Sequence, residues 1–193
     1  MMRVIAGRAK NTPLECPKDR PVRPMLARVR DAVLNIFREV IRHETVLDLF
    51  AGCGAAGIEA LSRGAEWCVF VERDRRARWI LEKNLARTRL AEFCDVIEGD
   101  VFRCLPRLKR IGRHPRLTIA DPPYALWRES KGREDLMAFL DSLVEEEVTG
   151  ERPWFVVHHD PKSPAPESSR LLRLDEQRTY GHSALTIYGL KSE

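Results

Sequence analysis

The segment Val46–Gly57 has the sequence VLDLFAGCGAAG. Its apolar first half predicts a buried strand, and its glycines predict a tight turn into a helix. Gly52, Gly54 and Gly57 match the G-x-G-x-x-G spacing of a nucleotide-binding strand, turn and helix. Because such a unit opens doubly wound α/β folds, the segment predicts a parallel sheet with a ligand at the carboxyl end of this strand.

Strand-like and helix-like segments alternate around this turn. Short apolar runs predict strands at Thr45–Phe50, Trp67–Glu72, Cys94–Glu98, Leu117–Ala120 and Trp154–His158. Amphipathic spacing predicts helices at Leu26–Ile41, Ala56–Arg63, Arg75–Arg89, Val101–Leu108 and Glu134–Glu146. Such alternation predicts a parallel sheet with helices on both faces, the Rossmann-like α/β class.

The last two strand-like segments break the alternation. Leu171–Arg178 and Ala184–Leu190 are joined by a link too short for a helical crossover. They therefore predict a hairpin, which makes a mostly parallel seven-stranded sheet with an antiparallel C-terminal end.

The start of the chain has a different character. Residues 1–24 combine the β-like pieces Arg3–Ala6 and Thr12–Cys16 with a glycine and several prolines. The length of 193 residues suits one domain with a small appendage. We therefore expect a basic arm or hairpin at residues 1–24, packed on a single domain at residues 25–193.

The composition favours a soluble, cytoplasmic protein, and we expect a monomer. No apolar run has the length of a membrane span, and the N-terminus lacks the apolar core of a secretion signal. The five cysteines are scattered and odd in number, which favours a reducing cytoplasm over a disulfide framework or a zinc site. The histidines show no metal-binding spacing with acids, and His158–Asp160 is interpreted as a strand end.

Two basic clusters occur in a chain whose formal net charge is only +4. Their members are Arg3, Arg8, Lys10, Lys18, Arg20, Arg23, Arg28 and Arg30 in the first, and Arg103, Arg107, Lys109, Arg110, Arg113 and Arg116 in the second. Such clusters predict a surface for a polyanion, with a solvated face as the alternative.

Asp48 indicates which nucleotide the glycine turn holds. Its carboxylate would face the incoming ligand and repel a pyrophosphate, so it argues against a nicotinamide dinucleotide. It suits a cationic ligand such as the amino-acid part of S-adenosylmethionine. Glu72 ends the next strand, where it can accept hydrogen bonds from ribose hydroxyls, and Asp100 is placed to contact the adenine amino group. Both acids have helix capping as an alternative role.

The segment Thr118–Tyr124, TIADPPY, ends a fourth strand with an acid, two prolines and an aromatic residue. The prolines stop the strand because each fixes φ and lacks a backbone donor. Asp121 and Tyr124 are therefore expected on a stiff turn, in one crevice with the acids that end the three earlier strands. A carboxylate, free carbonyls and an aromatic face suit a planar substrate that carries an NH2 group.

These residues resemble the Rossmann-fold, S-adenosylmethionine-dependent amino-methyltransferases. Asp48–Gly54 is similar to their first motif, and Asp121–Tyr124 to the D/N-P-P-Y/F motif that methylates nitrogen conjugated to a planar ring. Over nearly the whole chain the sequence resembles the bacterial RsmD-like family, which methylates guanine N2 in small-subunit (16S) ribosomal RNA. Further segments that carry this resemblance are Arg3–Lys10, Arg23-Pro24, Arg28–Asp31, Asn35, Gly57–Ala65, Val71–Asp74, Asn84-Leu85, Gly99–Phe102 and Tyr180-Gly181.

The chain departs from that family at three places. Met25–Ala27 replaces polar residues and an acid, Cys53 replaces a serine, and His158-His159 stands where an acid is common. The first departure lies in the arm expected to meet RNA or cofactor, so it affects the predicted RNA site more than the chemistry.

The resemblance implies S-adenosylmethionine as cofactor and ribosomal RNA, or an assembling small ribosomal subunit, as partner. The Asp121 carboxylate and Pro122 carbonyl would hold the amine while Tyr124 stacks on the base. The predicted catalytic residues are Asp121, Pro122, Pro123 and Tyr124. The predicted cofactor-binding residues are Asp48, Phe50, Ala51, Gly52, Gly54, Glu72, Arg73, Asp100, Val101 and Asp121. The predicted nucleic-acid contacts are Arg3, Arg8, Lys10, Arg23, Arg28, Arg30, and Trp127 and Arg128 in a polar loop at Ala125–Arg133 that would close over the base.

Other functions remain open at this point. The turn at Asp121 would equally serve a methyltransferase acting on the N6 amine of DNA adenine or the N4 amine of cytosine, although the catalytic fold nearly fills the chain. A non-catalytic RNA-binding, ribosome-assembly protein with a decayed methyltransferase fold is the second alternative, which the intact acids oppose. A nicotinamide oxidoreductase is more distant, and local packing is an alternative role for Trp127.

Overall fold

The computed structural model describes residues 2–17 and 25–192. Its strands are β1 (Met2–Arg3), β2 (Pro13–Leu14), β3 (Thr45–Leu49), β4 (Trp67–Glu72), β5 (Cys94–Glu98), β6 (Leu117–Ala120), β7 (Trp154–His159), β8 (Leu172–Tyr180) and β9 (Ser183–Leu190). Its α-helices are α1 (Ala27–Ile36), α2 (Arg38–Ile41), α3 (Ala55–Ser62), α4 (Arg75–Thr88), α5 (Leu105–Ile111), α6 (Tyr124–Arg128) and α7 (Ser130–Glu145). Short 3-10 turns lie at Ala91–Phe93 and Val101–Arg103.

The larger sheet has seven strands in the order β5-β4-β3-β6-β7-β9-β8. The five strands from β5 to β7 are parallel to their neighbours, whereas β9 is antiparallel to both β7 and β8. The predicted fold class is therefore confirmed. The chain leaves β3 toward β4 and β5 and returns on the other side of β3 as β6, so a topological switch point lies between β3 and β6.

Two apolar layers cover this sheet because successive side chains of a strand point to opposite faces. Val46 and Phe70 belong to the layer that packs under α1, α3 and α4. Leu47, Val69 and Val71 belong to the layer under α5 and α7. Helices on both faces bury the central strands completely, which explains why these strands are apolar throughout rather than alternating.

Three predicted helical or loop segments differ in the structure. The predicted helix Leu26–Ile41 is divided at Phe37, which ends α1 with φ −96° and ψ 18°. The predicted helix Val101–Leu108 is a 3-10 turn followed by α5. The predicted polar loop Ala125–Arg133 is wrong, because α6 and the first turn of α7 occupy it. Charged residues on the exposed side of these short helices gave this segment the composition of a loop.

The N-terminal segment forms the predicted hairpin, with β1 antiparallel to β2. It docks on α3 through backbone donors, since the Glu59 carboxylate accepts hydrogen bonds from the Ile5 and Ala6 amides at 2.8 and 2.9 Å. A Cβ at Gly7, where φ is +82°, would lie 1.8 Å from the Ser62 carbonyl oxygen. The close approach of hairpin and helix therefore requires glycine at this position.

A second set of contacts joins the end of the hairpin to the glycine turn. The buried Asn84 amide donates to the carbonyls of Glu15 and Cys53 at 2.9 Å each. Cys16 and Cys53 form a disulfide, which the spacing of the cysteines did not indicate. The division into residues 1–24 and 25–193 stays a prediction, because residues 18–24 lie outside the described part.

In the part of the chain that the structure describes, none of the helices combines the length and the apolar character that a bilayer crossing needs.

Candidate active site

A cavity of about 690 Å³ opens at the carboxyl ends of the parallel strands. Its walls come mainly from the last residues of β3 and β4 and from the residues that follow β3, β4, β5 and β6, so it lies across the topological switch point. This is where open α/β sheets bind ligands, because the loops of the two halves of the sheet diverge there. All of the predicted cofactor-binding residues except Gly54 line it. Pro17 and Met25 also line it.

The glycine turn after β3 shapes one wall of the cavity. Phe50 has a φ of 60°, which is uncommon for a residue with a side chain, and its ring lines the cavity. Gly54 has a φ of 78° and begins α3. A Cβ at Gly54 would lie 2.1 Å from the Leu81 Cδ1 atom, so this glycine lets α3 approach α4 closely. A role for Gly54 in cofactor binding stays a prediction.

Asp48 is a buried carboxylate that faces the cavity. It is 2% exposed, and its Oδ2 atom accepts a hydrogen bond of 2.9 Å from the Gly57 amide at the start of α3. The pKa of Asp48 is raised to about 7, because burial, together with the charges of Asp121 and Glu72, raises it more than the Gly57 hydrogen bond lowers it. The ion pairs found among the described residues include none with Asp48. The site therefore favours a positively charged ligand at this carboxylate.

Glu72 ends β4 and holds the glycine turn in place. Its Oε2 atom accepts from the Gly52 amide and its Oε1 atom from the Asp74 amide, both at 2.7 Å. Glu72 also lines the cavity, so its carboxylate lies where a bound ligand would meet it.

Asp100 has a structural role together with its place in the cavity wall. Its side chain accepts from the Phe102 amide at 2.9 Å and so caps the 3-10 turn that contains Val101. Arg73 lies 3.6 Å from the second Asp100 oxygen, and both side chains line the cavity. The capping role that the sequence left open for Asp100 is thus present.

The Asp121 turn forms the opposite wall. Asp121 follows the last residue of β6, and its Oδ1 atom lies 2.7 Å from the Nδ1 atom of His158. Pro123 lines the cavity and precedes the first residue of α6, Tyr124, whose ring centroid lies 6.4 Å from that of His158. Pro122 is buried, and neither Pro122 nor Tyr124 is among the described residues that line the cavity.

Across the described ranges, no group of three or more His, Cys, Asp or Glu side chains is arranged to hold a metal ion.

The family model described as "Conserved hypothetical protein 95" matches residues 2–189. The chain belongs to this family. The match covers the hairpin, the glycine turn and the Asp121 turn, and it confirms the resemblance on which the sequence analysis relied.

Several relatives of this chain carry the names of rRNA methyltransferases. YlbH of Bacillus subtilis, provisionally named an rRNA methyltransferase, is 34% identical over 187 residues, which is 97% of this chain and 98% of YlbH. "Ribosomal RNA small subunit methyltransferase D" of Escherichia coli is 35% identical over 123 residues, which is 64% of this chain and 60% of that protein. The solved structure of yhhF from Escherichia coli, provisionally named a methyltransferase, has a TM-score of 0.80 at 26% identity, and the match covers 100% of this chain and 99% of yhhF.

Two of the predicted nucleic-acid contacts are wrong for this family member, because their side chains are buried. Arg30 is fully buried, lies 3.6 Å from the Glu59 Oε2 atom and donates to the Arg3 carbonyl at 2.9 Å. Trp127 is fully buried, donates from Nε1 to the Ser163 carbonyl at 3.3 Å and packs on His159. Both side chains support the fold instead of facing a ligand.

Five of the remaining predicted nucleic-acid contacts have exposed side chains. The exposed ones are Arg3, Arg8, Lys10, Arg28 and Arg128. Arg28 donates to the Tyr180 carbonyl and Arg128 pairs with Asp160, each at 3.0 Å. Arg23 lies outside the described residues.

The sequence did not predict the contact between His158 and Asp121. His158 was interpreted as a strand end, yet it bonds directly to Asp121. The contact follows from the strand pairing, because β6 and β7 are parallel with Ala120 beside Val157, and Asp121 and His158 are the next residues along the two strands. The sequence predicted both strands but not their pairing, so it gave no signal for this contact.

Proposed function

We propose that this chain is an S-adenosylmethionine-dependent methyltransferase that modifies the exocyclic N2 amine of a guanine in small-subunit ribosomal RNA. The proposal rests on one observation: four acids line a single cavity beside a turn stiffened by two prolines. These acids are Asp48, Glu72, Asp100 and Asp121. The names of the relatives supply the polymer, since they are rRNA methyltransferases.

The residues around the glycine turn fit the cofactor. The buried charge of Asp48 favours a cation, and the cofactor carries a positive sulfonium and an ammonium group. Glu72 and Asp100 provide acceptors for ribose hydroxyls and for an adenine amino group, and the cavity of about 690 Å³ has the size of sites for ligands of this class. When bound, S-adenosylmethionine supplies an electrophilic methyl group attached to a positive sulfur.

The Asp121 turn fits the substrate. The lone pair of a guanine amine is delocalised into the ring, so the nitrogen attacks only when it becomes pyramidal. Hydrogen bonds from the amine to the Asp121 carboxylate and to the Pro122 carbonyl favour that geometry and stabilise the positive charge that develops on nitrogen. Tyr124 stacks on the base and aligns the nitrogen for in-line attack. The base must leave its helix, or be unpaired already, to reach the turn.

Exposed cations provide contacts to the rest of the RNA. Arg3, Arg8 and Lys10 lie on the hairpin, while Arg28 donates to the Tyr180 carbonyl at the end of β8 and Arg128 pairs with Asp160 after β7. Phosphate contacts of this kind position a nucleic acid without reading its sequence.

The decisive experiment identifies the methylated nucleoside. The full chain is incubated with labelled S-adenosylmethionine and with small-subunit rRNA, or small subunits, that lack the modification. The RNA is digested to nucleosides and analysed by mass spectrometry. We expect N2-methylguanine. Methyladenine or methylcytosine would overturn the assignment to guanine.

A non-catalytic RNA-binding protein with this fold is the competing proposal. Equilibrium dialysis with labelled S-adenosylmethionine separates the two, because a decayed site would not bind the cofactor. Cofactor binding without methyl transfer to any RNA or DNA would contradict an enzymatic role.

A further inference from the structure

We propose that His158 is a positioning residue for Asp121, and this inference rests on the proposed function. The imidazole holds one oxygen of the carboxylate so that the other faces the substrate amine. The contact is direct, at 2.7 Å between Nδ1 and Oδ1. It lies in a shielded place, since the His158 side chain is 2% exposed and that of Asp121 is 20% exposed.

The strand pairing makes this contact rigid. The parallel register of β6 and β7 brings Asp121 and His158 to adjacent strand ends. His158 lies in the last part of a buried strand, whereas Asp121 lies on a turn. The histidine is therefore the fixed partner, and rotation of the Asp121 carboxylate would break a charge-assisted hydrogen bond.

The tautomer follows from the surroundings of the second ring nitrogen. Among the described side chains and backbone, the buried Nε2 atom of His158 finds no hydrogen-bond partner. Because a carboxylate only accepts, Nδ1 carries the proton that is donated to Asp121. Nε2 then carries a lone pair. The ring thus directs its donor toward the acid of the turn, and its centroid lies 6.4 Å from that of the Tyr124 ring.

The position of the donor on the side chain allows a sharp test. The amide nitrogen of asparagine occupies nearly the place of Nδ1, whereas that of glutamine occupies the place of Nε2. Leucine fills the space without a donor. We expect kcat to fall about 100-fold in His158→Leu and in His158→Gln, because a small displacement of a reacting group has effects of that size. His158→Asn should stay within about threefold of the unchanged protein.

The same experiment separates positioning from folding. The KM for S-adenosylmethionine and the unfolding midpoint should stay close to those of the unchanged protein in all three variants. His159→Asn is the matched control, because the neighbouring imidazole bonds to the Asp160 carbonyl and to Thr186 instead of the turn. It should leave kcat unchanged. A His158→Leu variant with full kcat, or a His158→Asn variant as slow as the leucine variant, would overturn the proposal.

A spectroscopic readout keeps this proposal independent of activity. In the 15N-labelled full chain, a proton bound to His158 Nδ1 should give an NMR signal that disappears in Asp121→Ala. A proton found on Nε2 instead would overturn the positioning role even if the protein methylates RNA. Absence of methyl transfer by the unchanged protein, with the Nδ1 signal present, would count against the proposed function and not against this bond.

A second inference concerns helix α4. Residues 75–89 carry six basic side chains and one acid, so this segment has a net charge of +5 in a chain whose total is +4. The remainder of the chain is therefore close to neutral. Part of the charge on α4 is offset by neighbouring acids, because Arg75 and Arg78 pair with Glu98 and Arg87 pairs with Glu15. The segment belongs to neither of the two basic clusters recognised in the sequence.

The exposed face of α4 also carries an aromatic residue. Trp79 is 54% exposed, and the Lys83 ammonium lies 3.6 Å from its ring centroid. The apolar face of the helix, including Leu81, is buried in the core, so Trp79 is directed away from it. An exposed tryptophan among cations combines a stacking surface with phosphate-binding charge.

Helix α4 begins next to the cavity and ends next to the hairpin. Its first turn follows Asp74, which lines the cavity, and near its last turn Arg87 pairs with Glu15 at 2.5 Å. Arg8 of the hairpin stacks on Phe93 just beyond the helix. From this charge and continuity we infer that the α4 face binds the ribose-phosphate backbone of the rRNA next to the target nucleotide, which again rests on the proposed function.

A matched pair of variants tests this surface. Lys83→Gln/Arg89→Asn removes two charges from α4, and asparagine suits the left-handed conformation of Arg89. Arg170→Gln/Arg173→Gln removes two exposed charges at the start of β8 and just before it, and β8 lies at the opposite end of the strand order from β5. We expect the first variant to bind rRNA about tenfold more weakly and to lower the salt slope of log K by about two. Trp79→Ala should weaken binding without changing the slope.

The Arg170/Arg173 variant should bind rRNA like the unchanged protein, with an unchanged kcat. Unaltered affinity and salt slope in the α4 variant would overturn the inference. An equal loss in the Arg170/Arg173 variant would also overturn it, because it would indicate a diffuse charge effect. Failure of the unchanged protein to methylate rRNA would be the separate failure of the proposed function.

Discussion

The carboxyl ends of the parallel strands and the basic N-terminal region were both predicted to bind ligands. The structure places the predicted acids of the first together in one cavity, but it buries Arg30 among the predicted residues of the second. At the strand ends, Asp48, Glu72, Asp100 and Asp121 all line one cavity. In the N-terminal region, Arg30 is buried against Glu59 while Arg8 remains exposed. The position of a strand end is a property of the whole sheet. The exposure of a basic side chain depends on what packs over it, which charge and composition do not reveal.

The largest expected effect on activity is at Asp121, at the carboxyl end of β6. Asp121→Ala should lower the single-turnover rate of methyl transfer by about 10²–10³-fold, because it removes an acceptor for the developing charge. The dissociation constant for S-adenosylmethionine, measured by calorimetry, should change little. Asp121→Asn is the matched control, since it keeps a carbonyl acceptor that the D/N-P-P-Y/F motif allows. Full activity of Asp121→Ala would contradict the functional assignment.

The buried pair under the hairpin should dominate stability instead of activity. Glu59→Gln leaves the buried Arg30 guanidinium without its counter-charge, and we expect a loss of about 3–5 kcal/mol in the free energy of unfolding. Urea unfolding measures this loss. Glu15→Gln breaks the more exposed pair with Arg87 and should leave the unfolding midpoint nearly unchanged. Equal stability of the two variants would contradict a supporting role for Glu59.

The charge of Asp48 should affect both the stability of the fold and the affinity for the cofactor. The folded pKa of Asp48, about 7, exceeds the ordinary 3.8, so its contribution to stability is complete at low pH and is lost as the pH rises through 7. Without cofactor, Asp48→Asn should therefore become more stable than the unchanged protein between pH 4 and 7. The difference should reach an upper bound on the order of 4 kcal/mol. Unfolding curves recorded across this pH range measure it.

The same variant should bind S-adenosylmethionine at least about tenfold more weakly, equal to about 1.4 kcal/mol. In the unchanged protein, cofactor affinity should increase as the pH rises through 7, because the ionised carboxylate attracts the cation. An affinity that does not depend on pH would show that Asp48 is not the group that meets the positive charge.

The smallest effects are expected at the exposed side of the hairpin. Arg8→Gln/Lys10→Gln should weaken rRNA binding a few-fold and lower the salt slope of log K by about one for each phosphate that the variant no longer neutralises. The unfolding midpoint should not change. Arg30→Gln provides the contrast, since it should lower stability because Arg30 is buried. A salt slope identical to that of the unchanged protein in the Arg8/Lys10 variant would remove the hairpin from the RNA surface.

Helix α6 shows why some local structure escaped prediction. The residues from Ala125 to Arg133 are mostly polar or charged, and they follow two prolines, which is typical of a loop. In the structure Trp127 packs on His159 in the core, and this one buried side chain anchors the helix. The competing interpretation of Trp127 as a packing residue was available, but only its neighbours in space distinguish it from a residue that meets a base.

By itself, the sequence determined the order of strands and helices, the glycine turn and the acids at four strand ends. Those features depend on local periodicity and on the rule that parallel strands present their carboxyl ends together. Only the tertiary structure decided that Arg30 and Trp127 are buried, that Cys16 meets Cys53, and that His158 holds Asp121. These are contacts between residues far apart in the chain, and their energies depend on packing that no single segment encodes.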